Sequence, residues 1–266
     1  MGVAPVVGQA LAWEDAGAGV ERGRLDLRTV GRARHVRVHL VRVDPALVRL
    51  SLHTNVGDEG LLPWHVEAAP DGAVLAVNGG QFVDDRPWGW VVHRGRELQA
   101  PGAGSLAMAL VVDSAGGVHL LDPGEIGGWR GQVREALQSY PMLLEAGGRV
   151  PAAVRGLAPG LDTGHRDTRL AVGLQVDGKV LFALTRVVVL GQELGPTPLG
   201  LTVGETAALM GAIGADRAMM LDGGLSSQLL ARARGGEAEI FRGLRRVPLG
   251  IVGLSSPGDL PRSSRP

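Results

Sequence analysis

Ala218-Met219-Met220-Leu221-Asp222-Gly223-Gly224-Leu225-Ser226-Ser227-Gln228-Leu229-Leu230 carries an apolar run of strand length into a carboxylate, two glycines and two hydroxyls before apolar residues resume. This is the pattern of a strand whose tip presents polar chemistry, because glycine lets backbone or ligand approach closely. Asp-Gly-Gly is also ordinary turn chemistry: Asp accepts hydrogen bonds from the backbone ahead of it, and Gly reaches positive φ without steric cost. Upstream, Thr202 with Glu205 three residues on forms a capping box. Ala207, Leu209, Met210 and Ile213 can supply the buried side of the helix it opens, and Gly214 ends that helix. The predicted order is helix, corner, then the Asp222 strand.

A second stretch repeats the design. Ala73 to Val77 reads as a buried strand and runs into Asn78-Gly79-Gly80. Two such tips can form one anion-binding concavity from inward-pointing backbone amides. Asn-Gly is equally the strongest short signal for a type I′ hairpin turn. Trp88-Gly89-Trp90 follows closely and suits either a sugar platform or a core cap.

Elsewhere period-two alternation dominates. His35 to Leu52 reads as strands broken by a turn at Asp44-Pro45. Leu106 to Val112 and Val118 to Leu121 flank a hairpin at Ser114-Ala115-Gly116-Gly117. Leu170 to Val176 and Val180 to Thr185 flank another at Asp177-Gly178-Lys179. Short helices are expected at Leu61 to Ala69 and Gln132 to Leu137, and a strand at Tyr140 to Leu144. Pro151 to Asp167 is irregular and long enough to suggest a binding loop. The fold class this predicts is α+β: a single mixed domain over residues 25–254, with a strand-rich central sheet and a few packed helices. Residues 1–24 are expected as an irregular lead-in and 255–266 as a disordered tail.

The 266 residues are ample for a sizeable core. Formal net charge is zero and the pI is near 7.1, so no overall field recruits nucleic acid or anionic membrane. Without cysteine there are no disulfides, thiolate nucleophiles or Cys-based zinc sites. No apolar run approaches the roughly 20 residues of a spanning helix, since Val180 to Leu190 is interrupted by Arg186. Met1 to Ala12 lacks the basic segment of a signal peptide. There is no Gly-Lys-Ser/Thr phosphate loop, no His-Glu-x-x-His helix and no Gly-x-Ser-x-Gly elbow.

Taken together, Gly200-x-Thr202-x-x-Glu205, the helix, and Ala218-x-x-Leu221-Asp222-Gly223-Gly224-x-Ser226-Ser227 resemble the phosphodiester glycosidase family. Ala76-Val77-Asn78-Gly79-Gly80-Gln81-Phe82, Arg169-Leu170-Ala171-Val172-Gly173 and Arg246-Val247-Pro248-Leu249-Gly250-Ile251-Val252 resemble its other motifs in the right order. Gln81 departs from the family's usual aromatic, and Thr185-Arg186 stands where many members have Asp-Gly-Arg. The resemblance implies hydrolysis of a sugar joined through its anomeric oxygen to a phosphodiester. It also implies export, so the chain is expected to be a mature form with an added Met1.

Phosphate is a good leaving group, so that reaction needs an anion cradle and one carboxylate near the anomeric carbon more than a strong general acid. Asp222 is the first candidate for the carboxylate, and Arg169 for the phosphate. Gly79, Gly80, Gly223 and Gly224 offer backbone donors, and Asn78, Thr202, Ser226 and Ser227 are the further substrate-binding candidates. Glu205 is a catalytic candidate that its capping-box partner Thr202 also explains. His165 is a candidate phosphate donor or acid. No cofactor is required, and a divalent cation on Asp222 is left open. Two alternatives stand beside this reading: a phosphodiesterase that cuts phosphorus–oxygen, and a non-catalytic cell-envelope protein that binds phosphorylated glycans.

Overall fold

Leu170–Leu174 and Val180–Val189 form the expected antiparallel hairpin, with Gly178 at φ +85° in its turn. Alternation sorts the side chains of the pair: Val172 and Phe182 face one core, Ala171 and Leu181 another. The computed structural model describes residues 11–17, 19–30, 33–57, 60–129, 132–158, 161–233 and 236–255. Within them this two-sided burial recurs on three antiparallel sheets.

The largest sheet has eight strands. Its path runs Trp13–Gly17, Val20–Val30, Ala33–Val43, Val180–Val189, Leu170–Leu174, Arg217–Met220 and Met142–Leu144, with Gln192–Glu193 added to Val180–Val189. A five-stranded sheet runs Ala238–Phe241, Leu229–Arg232, Ala73–Asn78, Gly250–Ser255 and Val48–His53. The other five-stranded sheet runs Arg96–Gln99, Val91–His93, Val133–Ser139, Met108–Asp113 and Val118–Leu121.

The three sheets share one core. Val41, Phe182 and Met219 meet Leu75, Val77 and Ile251 from the second sheet and Leu110 and Leu137 from the third. On the opposite face of the largest sheet, Ala207, Leu209 and Met210 of the helix Val203–Ala212 pack on Leu144, Ala171 and Ala218. That helix opens with Thr202 and Glu205 in a complete capping box. No helix of the described residues is long and apolar enough to cross a membrane.

The strand-rich expectation holds, but helix is a minor component, and among the described residues the single central sheet is replaced by three large sheets and two two-stranded ones. Among the described residues α-helix is confined to Ile126–Trp129 and Val203–Ala212. Of Gln132 to Leu137, expected as helix, all but Gln132 lies in the strand Val133–Ser139. Its Glu, Ala, Leu and Gln are good helix formers, yet the segment sits between two partner strands where tertiary packing overrides propensity. The polar side chains this buries are partnered: Glu135 pairs with His93 Nδ1 at 2.9 Å, and Gln138 Oε1 accepts from the amides of Trp90 and Gly102. The helix expected at Leu61 to Ala69 reduces to a 3-10 turn at Val66–Ala68, preceded by the short strand Gly60–Leu62.

Residues 13–17 and 20–24, expected in an irregular lead-in, are strand. Trp13–Gly17 pairs with Val20–Val30 and extends the largest sheet. Residues 1–10 and 256–266 lie outside those described, while Ser255 closes the strand Gly250–Ser255. The turn at Asp44-Pro45 is present, but it sends Ala33–Val43 and Val48–His53 into different sheets.

Candidate functional site

The strands Ala73–Asn78 and Arg217–Met220 belong to different sheets, and their tips converge. The Asp222 amide donates to Gly79 O at 3.0 Å, and Asn78 Nδ2 donates to Asp222 O at 2.9 Å. Asn78 Oδ1 accepts from the Gln228 amide at 3.0 Å. Asn78 is completely buried, so its side chain stitches the two tips together. No hairpin turn forms there.

The glycines serve close approach more than anion binding. A Cβ on Gly79 would lie 2.4 Å from Leu249 Cδ1, and one on Gly80 2.9 Å from Ser139. The Gly79 amide is spent on Leu249 O and the Gly224 amide on Thr168 O. A Cβ on Gly223 would lie 2.9 Å from Thr168 O. Gly224 has φ +54°, and a Cβ there would lie 2.7 Å from Asp167 Oδ2. The cradle of glycine amides expected from the sequence therefore lacks these two donors.

That packing brings a second carboxylate to the tip. Burial pushes the Asp222 carboxyl above its ordinary range, and Asp167 pushes it the same way. A hydrogen bond from Ser226, the nearby Arg245 guanidinium and the Gly223 amide oppose the shift. Asp167 accepts from the Thr168 amide at 2.8 Å and lies 3.6 Å from His165 Nε2. The His165 side chain is 55% exposed. Among the described residues no group of three His, Cys, Asp or Glu side chains is placed to hold a metal ion.

Several sequence candidates turn out to brace the site. Arg169 is buried, with Nε donating to Leu201 O at 2.8 Å and Nη2 to His165 O at 2.6 Å. Desolvation lowers its pKa, which Asp167 partly offsets. Glu205 accepts from Thr202 N at 3.0 Å and holds both Arg166 nitrogens at 2.8 Å, and the Thr202 hydroxyl accepts from the Glu205 amide. Gln81 ties the first tip to its neighbour: its Oε1 lies 2.6 Å from Ser139 Oγ, and its Nε2 donates to Tyr140 O.

Ser226 is buried against Asp222, whereas the buried Ser227 hydroxyl has no protein partner. Arg186, at the second departure from the family pattern, donates to the carbonyls of Ser227 and Arg242 at 3.0 and 3.1 Å. Its burial brings its pKa down to about 10. The tryptophan pair divides: Trp90 is core and donates to Glu97 Oε2, while Trp88 meets Tyr140 edge to face at 4.8 Å.

Arg245, like Asp167, is a residue that sequence reading did not assign to the site. The amides of Leu244 and Arg245 both donate to Leu225 O, which holds this segment against the turn Gly224–Ser226 that follows Asp222. The exposed Arg245 guanidinium lies over the Phe82 ring at 4.4 Å from its centroid. The only signal in the sequence is the Arg245-Arg246 doublet ahead of the closing strand.

Comparison with known proteins bears on the family and the fold. The sequence model of the phosphodiester glycosidase family matches residues 71–252, which include both tips, Asp167, Arg169 and Arg245. A search of curated proteins found no match. The structure is similar to the zebrafish N-acetylglucosamine-1-phosphodiester alpha-N-acetylglucosaminidase catalytic domain auto-inhibited by its pro-peptide. That similarity has 16% identity and a TM-score of 0.66, over 93% of this chain and 89% of that one. A hypothetical protein from Synechocystis is also similar, at 14% identity and a TM-score of 0.64 over 92% of this chain. This chain spans 64% of that protein. Identities this low speak for the fold alone, but the family match takes in well over half of the 266 residues, and on that ground the chain belongs to the phosphodiester glycosidase family.

Proposed function

We propose that this protein hydrolyses a glycosyl-1-phosphodiester at the bond between the anomeric carbon and its oxygen. One observation carries the reading: a half-buried Asp222 with a raised pKa, placed where two strand tips are bonded together, with a second carboxylate and an exposed guanidinium beside it.

In this mechanism Asp222 faces the anomeric carbon. A carboxylate with a raised pKa is a stronger base than a solvated one, so it is suited to take a proton from the attacking water. Water's oxygen joins the sugar as the anomeric carbon–oxygen bond breaks. The phosphomonoester leaves with the bonding electrons, and the water proton passes through Asp222 to solvent or product. Asp167 adds negative potential beside the oxocarbenium-like transition state. Arg245 binds the phosphate, because its guanidinium is exposed while that of Arg169 is spent on loop carbonyls. Ser226 keeps the Asp222 carboxylate in one orientation.

The test is release of free sugar from a panel of glycosyl-1-phosphodiesters, including α-N-acetylglucosaminyl phosphodiesters, in isotopically labelled water. Asp222→Asn and Arg245→Ala are each expected to lower turnover about a hundredfold, the usual loss for one electrostatic stabiliser. Label should appear in the sugar. Label in the phosphate would overturn the reading in favour of phosphorus–oxygen cleavage. Absence of turnover with phosphoglycan binding unchanged in Asp222→Asn would leave a binding protein.

A further inference from the structure

The sequence stretch Trp88-Gly89-Trp90 is only half accounted for by the core. Trp90 is buried, but Trp88 and the exposed Tyr140 form the aromatic wall of a cleft of about 280 Å³. Leu106 and Leu161 contribute further apolar surface, Ser105 is the one small polar side chain, and the rest of the lining is Ala and Gly. We propose that this cleft is the subsite for an apolar aglycone, an aryl or short prenyl alcohol, on the far side of the phosphodiester. The proposal rests on the glycosidase reading above and extends it to the class of substrate.

Three observations support it. The Tyr140 wall of the cleft is tied to the segment that leads to the candidate site: Ser139 Oγ donates to Met220 O at 2.6 Å, and the Met220 amide donates to Pro141 O at 3.0 Å. Tyr140 is therefore held between two residues bonded to Met220, the last residue of the strand Arg217–Met220 that precedes Asp222. The loop that carries Leu161 into the cleft also carries Asp167 to the Asp222 tip, so one loop bounds both places.

The second observation is the character of the lining. A sugar ring needs several hydrogen-bond partners, and here the side chains offer only the Ser105 and Tyr140 hydroxyls. The carboxylates and His165 lie outside this lining, around Asp222, so the polar arm of the diester fits there and an apolar arm fits the cleft. At about 30 Å³ for each water-sized group, the space takes roughly nine heavy atoms, which suits a benzyl or short prenyl group.

The third is that the walls are already in place. Gln138 clamps the Gly102 segment through both its amide and its carbonyl, at 2.7 and 3.1 Å. That segment lies along the Trp88 ring, where a Cβ on Gly102 would be 3.2 Å from Trp88 Cζ2. Leu106 O accepts from the Met142 amide at 2.6 Å. A preformed cleft loses little ordering entropy when it is filled.

The experiment pairs a turnover assay with a binding assay. Benzyl and methyl phosphodiesters of α-N-acetylglucosamine are compared by kcat/KM, and benzyl and methyl phosphate by calorimetric titration. In the wild type the benzyl compound should be favoured about tenfold in both assays. Trp88→Ala and Tyr140→Ala should bring both ratios toward one, while thermal melts show that each variant folds. Equal affinity of the wild type for the two phosphates, or a benzyl preference that survives in both variants, would overturn the subsite. Failure of both diesters to turn over would count against the glycosidase reading, while the phosphate titrations would still decide the cleft.

Discussion

Asp222 shows how a local motif acquires its chemistry from its surroundings. In the sequence it is an Asp before two glycines; in the fold, burial and Asp167 raise its pKa above the ordinary 3.8. The folded state then binds a proton more tightly than the unfolded chain does. The associated stability is complete at low pH and is lost as pH rises through the folded value. Asp222→Asn should therefore melt above wild type at pH 7 to 8, with the gap closing below about pH 4, where the carboxyl is protonated in both states. Calorimetry across that range checks this, and a variant that melts lower at pH 7 would contradict it. Such a gain with loss of turnover is the exchange expected of a charge kept for function.

At the scale of elements, the helix Val203–Ala212 was legible in full because its start signal is local: Thr202 and Glu205 satisfy each other's backbone within three residues. The same contact, with the pair to Arg166, occupies the Glu205 carboxylate. Thr202→Ala should cost about 1 kcal/mol, as measured by denaturant unfolding. Glu205→Gln should retain turnover of the wild-type order, because an amide can still cap the helix. Burial is the largest single influence and disfavours the Glu205 charge, but the hydrogen bonds from Arg166 and Thr202 and the Arg166 charge together outweigh it and hold the carboxyl below its ordinary value. The stability that charge adds is present above the ordinary value and fades as pH falls through the lower folded one. The margin of wild type over Glu205→Gln should accordingly shrink on acidification. The strand Val133–Ser139 is the opposite case, illegible because its Glu135 and Gln138 find partners far away in sequence, at His93, Trp90 and Gly102.

Across the whole molecule, the core where the three sheets meet holds the two tips in register. Phe182 is fully buried there, and its register partners are Val172 on one side and Val41 on the other. Phe182→Ala should cost about 3–5 kcal/mol of unfolding free energy through lost contacts and the cavity left behind. Turnover per folded molecule should also fall, since the tips are attached to the sheets this residue joins. The sequence by itself determined the strands with strict alternation, the two glycine-flanked tips, the capped helix and the family, because each is written in residues near one another along the chain. Only the tertiary structure decided that the tips bond to each other and that the side chains of Asn78, Arg169 and Glu205 are hydrogen-bonded within the protein. It also placed Asp167 and Arg245 beside Asp222. A hydrogen-bond donor is available or spent according to which distant carbonyl lies within 3 Å, and spacing along the chain carries no record of that.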